Sequence, residues 1–186
     1  DSFASHFGQP YAAATSNGTV ALHAALLAAG VKPGDKVLTT PFSFIATTNA
    51  IIYCGATPCF VDIDEDTFNI DPEKLEEAVQ RNQDAKFLLI VHLFGQPCAM
   101  NEIMRIVNEN GLTLIEDCAQ AHGARYDGKP VGSFGIAGTF SFYPTKNMTT
   151  GEGGMITCSD ADYYKKLKMI INHGSIKRYI HEITGF

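Results

Sequence analysis

Lys86-Phe87-Leu88-Leu89-Ile90-Val91-His92-Leu93 is the stretch on which the fold turns. From Phe87 to Val91 the apolar residues are continuous, with no polar residue between them. A strand with one face in water alternates apolar and polar residues, so an unbroken run marks a strand covered on both faces, as in a parallel sheet. Outward from it, Leu112 to Ile115 reads as a second buried strand. Lys36 to Thr40, Thr57 to Ile63, Thr139 to Tyr143 and Gly154 to Cys158 read as further strands. Between them lie helical segments. An Ala- and Leu-rich run to Ala29 follows the start signal Ser16-Asn17-Gly18 and is closed by Gly30, and its apolar character all round predicts burial on every side. Phe42 to Tyr53 reads as an apolar helix entered after Pro41. Asp71-Pro72 opens a polar helix to about Asn82, Met100 to Glu109 ends at Asn110-Gly111, and Asp160 to Ile171 is a charged surface helix. This alternation predicts an α/β fold: a three-layer, mostly parallel sheet with helices on both faces. Ligands of such sheets bind beyond the carboxyl ends of the strands, which directs attention to the loops after Thr40, Leu93, Ile115 and Tyr143.

The chain has 186 residues, enough for one domain with a substantial core. With 14 Lys and Arg against 20 Asp and Glu, the net charge of −6 leaves no basic stripe for nucleic acid and disfavours docking on acidic lipid. The segments Ser2–Val31 and Val37–Val61 contain no charged residue. Gly8, Pro10 and Asn17 break the first and Pro41, Asn49 and Pro58 the second, so both read as protein core rather than membrane spans. Cys54, Cys59, Cys98, Cys118 and Cys158 form no C-x-x-C pair, which fits reduced, mostly buried thiols and a cytoplasmic protein. No cleavable leader opens the chain, and its start at Asp1 suggests a fragment. The histidines at 6, 23, 92, 122, 173 and 181 have no metal-ligand spacing.

Three loops carry chemistry. Thr15-Ser16-Asn17-Gly18-Thr19-Val20 places small and hydroxyl residues at a helix start, where free N–H groups and the helix dipole suit a phosphate; simple capping by Ser16 or Asn17 is the competing use. Neither a P-loop nor a G-x-G-x-x-G fingerprint is present. Glu116-Asp117-Cys118-Ala119-Gln120 sets two carboxylates directly after a buried strand, where Asp117 could hold a cationic partner or cap the next turn. Between Pro130 and Ser159 the only charged residues are Lys146 and Glu152. A lone lysine in a neutral, Gly-rich window suits a buried nucleophilic amine, or else a side chain reaching out to solvent. A phosphate cradle, a carboxylate and an isolated lysine are the parts that hold pyridoxal phosphate.

The segments TSNGTVALHAAL, TTPFSFIATTNAI, FVDID, LIEDCAQAHGA and SFYPTKNMTTGEGGMI, in this order, resemble the DegT/DnrJ/EryC1/StrS family of pyridoxal-phosphate sugar aminotransferases, which have the aspartate aminotransferase (type I) fold. The resemblance implies that Lys146 forms the internal aldimine and moves the proton, and that Asp117 keeps the pyridine nitrogen protonated. Gln120 contacts the ring oxygen or packs beneath the ring. Phe44 matches the aromatic that stacks on the ring, although plain core packing is what its own residue type suggests. Gly18, Thr19 and Ser141 serve the phosphate. His122 lies near this site and reads as structural. His173 resembles a family element near the subunit interface.

The implied reaction moves an amino group from glutamate to a nucleotide-linked keto-deoxysugar. TTGEGG (149–154) is closer to relatives acting at sugar C4 than at C3. A homodimer is implied, with no nucleic-acid, membrane or metal partner. Family chains are longer, so residues 1–186 are expected to be the large cofactor-binding domain, without the N-terminal segment and the small C-terminal domain. The alternatives are a dehydratase of the same family, which would carry histidine in place of Lys146, a non-catalytic scaffold or regulator, and a nicotinamide dehydrogenase, which lacks its glycine fingerprint here.

Overall fold

A computed structural model describes residues 2–186. In chain order the elements are α1 (Ser2–His6), β1 (Tyr11–Thr15), α2 (Gly18–Ala29), β2 (Lys36–Thr39), α3 (Ala46–Tyr53), β3 (Thr57–Phe60) and α4 (Pro72–Arg81). Then come β4 (Phe87–Val91), α5 (Met100–Asn110), β5 (Thr113–Asp117), β6 (Arg125–Tyr126), β7 (Lys129–Pro130), β8 (Ala137–Ser141), β9 (Gly154–Cys158), α6 (Ala161–Ile170), β10 (Ser175–Lys177) and β11 (Ile180–His181). Seven strands form the main sheet in the order β1-β9-β8-β5-β4-β2-β3. All neighbours from β8 to β3 are parallel, and only β9 runs against both of its neighbours.

Strand β4 is buried at every position, as its composition requires. Its alternate residues serve two cores. Phe87 and Leu89 join Leu22, Leu26, Ile51, Ile115 and Ile156 under α2, α3 and α6, while Leu88 and Ile90 join Leu75, Ile103, Ile106 and Leu114 under α4 and α5. Helices therefore cover both faces. Helix α2 has no exposed residue over its whole length, so its lack of an amphipathic pattern is matched by burial all round. It begins with Asn17 accepting the Val20 N–H and ends at Gly30 in the left-handed conformation.

Several boundaries differ from the sequence reading. Residues 42–45 are not helical: α3 starts at Ala46, and Phe42, Phe44 and Ile45 are exposed. The Phe42 N–H is held by the Thr40 hydroxyl instead, which breaks the helix start. Strand β5 extends through Glu116 to Asp117, so both carboxylates stand on the strand rather than after it. Strand β8 ends at Ser141, two residues before the expected end. Strand β1 has only a weak signal in the sequence, because three alanines, which strands disfavour, fill its centre between Tyr11 and Thr15. Among the described residues no helix is long and apolar enough to cross a membrane, and all five cysteines are free thiols.

Candidate active site

Gly154 sits in register with both Thr15 of β1 and Ser141 of β8. A Cβ at Gly154 would lie 2.4 Å from the Asn17 carbonyl oxygen, so only glycine lets the start of α2 come this close to the sheet. One step on, a Cβ at Gly18 would lie 2.7 Å from that of Ser141. The first turn of α2 is thereby seated against the Ser141 side chain. Asn17 takes the Val20 N–H, and the Ala21 N–H goes to the Asn17 carbonyl. The Gly18 and Thr19 N–H groups have no protein acceptor among the described residues. Capping and an anion site are therefore compatible here, since the cap leaves two donors at the positive end of a 12-residue helix.

These groups open into a cavity of about 710 Å³ at the carboxyl edge of β4, β5 and β8. Gly18, Thr19, Phe44, Asp117, Gln120, Ser141 and Lys146 all line it, joined by Ser43, Thr47, Val91, Tyr143 and Glu152. Asp117 is buried. Its Oδ1 accepts the Ala119 N–H at 3.1 Å, the local turn contact that the sequence allowed. Its Oδ2 accepts the Thr47 hydroxyl at 2.9 Å, and the Ser43 and Thr47 hydroxyls are themselves 2.9 Å apart. Burial pushes the Asp117 carboxyl above the usual carboxylate range, against the pull of the Ala119 and Thr47 hydrogen bonds and the Lys146 charge. A buried carboxylate of this kind gains from a cationic ligand in the cavity.

Lys146 is half-buried on the loop after β8, with its N–H bonded to the Tyr143 carbonyl. Its amine has no hydrogen bond or ion pair among the described residues. Phe44 is 69% exposed and so is not core packing. Gln120 Oε1 accepts the Phe94 N–H at 2.7 Å, which leaves its amide NH₂ as the free donor. Thr47 and Ser43 are site residues that the sequence reading did not single out; hydroxyls inside an apolar segment gave no specific sign of the contact they make.

Glu116 faces away from the cavity and is 0% exposed. Oε1 accepts the Gly132 N–H at 2.7 Å and His92 Nε2 at 3.1 Å. Oε2 accepts the Phe134 and Gly135 N–H groups at 2.8 Å each. His92 Nδ1 accepts the Cys98 N–H, which places the ring proton on Nε2. His92, Glu116 and Cys118 stand close enough together to suggest a metal site, but the carboxylate and the imidazole are already fully partnered. His122 packs against Phe140 and Phe142 outside the cavity lining, both its ring nitrogens are buried without a partner, and burial lowers its pKa. His173 stands in the left-handed region near the C-terminal end, its carbonyl bonded to His181, and takes no part in the cavity.

The sequence profile of the DegT/DnrJ/EryC1/StrS aminotransferase family matches residues 1–186. The chain belongs to this family. DegT/DnrJ/EryC1/StrS proteins are pyridoxal-phosphate-dependent aminotransferases. Among its relatives is the "pleiotropic regulatory protein" of Geobacillus stearothermophilus, 50% identical over 171 residues, with 91% of this chain and 45% of the relative covered. The GDP-perosamine synthase of Caulobacter vibrioides is 45% identical over 186 residues, covering 99% and 50%. The crystal structure of an aminotransferase from Psychrobacter cryohalolentis superposes with a TM-score of 0.94 at 42% identity, over 99% of this chain and 49% of that one. The chain thus spans about half the length of the DegT/DnrJ/EryC1/StrS relatives it matches. The three-layer fold expected of the family's large domain is the fold described above.

Proposed function

We propose that residues 1–186 are the cofactor-binding large domain of an aminotransferase that moves an amino group from glutamate to a nucleotide-linked keto-deoxysugar. The observation that carries this reading is the convergence on one cavity of a buried carboxylate, a lysine amine without a protein partner and two free helix N–H donors. The donor set fits pyridoxal phosphate. When bound, the cofactor supplies an electron sink that lets a proton leave the carbon bearing the amino group.

The Gly18 and Thr19 N–H groups, with the Ser141 hydroxyl, hold the phosphate at the α2 start. Asp117 holds a proton at the pyridine nitrogen, and Thr47 and Ala119 keep its carboxylate aimed. Phe44 covers a ring face, a contact worth about 0.5–1.5 kcal/mol beyond burial. Gln120 offers its NH₂ to a ring oxygen. Lys146 would hold the cofactor through Nζ, with loss of water, and once the donor's amino group has displaced it the freed amine would carry the proton between the two carbons that exchange it. Amination at sugar C4 is proposed on the likeness of TTGEGG (149–154) to C4-acting relatives. A cytoplasmic homodimer is proposed on the family resemblance, and the exposed Ile52, Tyr53 and Phe60 on α3 and β3 suit an interface.

The test is to add pyridoxal phosphate to the full-length protein, treat with borohydride and map the modified peptide. A yellow species that borohydride bleaches and fixes on Lys146, and that glutamate, added to unreduced protein, converts to the amine form of the cofactor, is the expected result. No adduct on Lys146 overturns the reading. An adduct that never transfers an amino group supports the second reading, a cofactor-binding regulator, which the name of the Geobacillus relative brings into view.

A further inference from the structure

Phe94 combines two unfavourable features, a strained backbone and an exposed ring. Its backbone lies in the left-handed region (φ 55°, ψ 17°), which bulky side chains rarely enter. The residue is 74% exposed, and among the described residues no aromatic ring packs against it. Phe68 has a similar φ of 59°, but its ring stacks on Phe42. Strain of this kind persists only where the surroundings over-determine it, and it gathers at functional sites.

The surroundings here do so. Asn69, almost fully buried, accepts the Leu93 N–H at 3.0 Å and donates to the Gln96 carbonyl at 3.0 Å and the Pro97 carbonyl at 3.3 Å. The Phe94 N–H itself is held by Gln120 Oε1 at 2.7 Å, and the far end of the loop is tied by the Cys98 N–H to His92. These bonds fix the main chain and leave the ring free.

Location decides what the ring is for. Phe94 lies three residues beyond Val91, which is in register with Asp117. Its partner Gln120 lines the cavity, but Phe94 does not. The acceptor's reacting carbon must reach Lys146 inside the cavity, so the part of a sugar nucleotide that remains outside is the nucleotide. We infer that Phe94 is a stacking platform for the nucleobase of the acceptor, a planar group for which an exposed, fixed aromatic ring is suited. The inference rests on the reading of the site as a sugar-nucleotide aminotransferase.

The test uses the full-length protein loaded with pyridoxal phosphate, with Phe94→Gly, Phe94→Leu and Phe94→Tyr variants. Binding of GDP, UDP and dTDP is measured by calorimetry, with pyrophosphate as the ligand that has no base. Phe94→Gly is expected to melt no lower than the unaltered protein, since glycine is at ease at this φ. It is expected to weaken the best-bound nucleotide by at least about tenfold. Pyrophosphate binding should stay unchanged, Phe94→Leu should recover little, and Phe94→Tyr should restore binding to within about twofold, because only it brings back a ring face. Nucleotide binding equal in Phe94→Gly and the unaltered protein overturns the inference, as does absence of nucleotide binding in a protein that carries the Lys146 adduct. A variant that changes only the subunit association constant makes the ring an interface contact and also overturns it. Failure of the unaltered protein to form the Lys146 adduct falls instead on the reading of the site.

Discussion

The Thr47 hydroxyl, on the second residue of α3, donates to Oδ2 of Asp117, 70 positions later in the chain, at 2.9 Å. The bond spans from helix to sheet and aims the carboxylate into the cavity. Thr47→Val keeps the shape and removes the donor. A hydrogen bond to a charged group is worth about 1.5–3 kcal/mol, so urea denaturation should show a loss in that range. Cofactor binding should weaken with it, and Thr47→Ser should recover both.

Asp117→Asn is expected to stabilise the cofactor-free protein while weakening its hold on pyridoxal phosphate. Burial raises the folded-state pKa of this carboxyl above its unfolded value, so the folded chain binds the proton more tightly. Ionisation therefore costs stability as pH rises from the ordinary carboxylate range through the raised folded value. Asparagine has no such cost. Its advantage should grow across that window and level off above it, by about 1.4 kcal/mol for each unit by which the pKa is raised. Melting curves from pH 4 upward, without cofactor, measure it; an advantage that shrinks with rising pH would contradict the sign.

Gly18→Ala places a methyl group 2.7 Å from Ser141 Cβ. Overpacking of this sort costs about 1–3 kcal/mol, and it pushes the α2 start away from the sheet. Both thermal stability and affinity for the phosphate-bearing cofactor should fall. Ser141→Gly in the same chain removes the obstructing atom. Stability should return in the double variant, which separates the packing effect from loss of the hydroxyl donor.

Glu116→Ala strips the acceptor from three main-chain N–H groups and His92 at once. Each unsatisfied buried donor costs about 1–3 kcal/mol, so a loss of at least about 3 kcal/mol is expected. Glu116→Gln keeps one acceptor oxygen and should be milder. In it, hydrogen exchange at Gly132, Phe134 and Gly135 should speed up, with exchange in β4 little changed.

The sheet was legible because β4 throughout and β5 at Leu114-Ile115 are apolar on both faces, and α2 because Asn17 and Gly30 bracket an Ala- and Leu-rich run. All seven residues singled out for the site line one cavity, a grouping that rested on motif order rather than on periodicity. What was hidden depends on partners distant in sequence. The apolar run from Phe42 reads as helix, yet Thr40 holds the Phe42 N–H and the helix waits until Ala46. The pair Glu116-Asp117 reads as a loop, because a strand that buries two carboxylates is credible only when their partners are seen. Those partners are Thr47 on one side and the 132–135 main chain on the other.

Strand β1, the first of the sheet to be synthesised, is an edge strand that pairs with β9, the last. Its neighbour in sequence, the start of α2, is seated by Gly154 of that same late strand. During translation the anion-binding turn is thus made early and placed late. Pairings this distant close slowly, since the loop entropy must be met before any contact forms. A nascent chain that has not yet exposed residues 154–158 therefore has its lysine and carboxylate loops but no seat for a phosphate, and capture of the cofactor becomes a report that the sheet has closed.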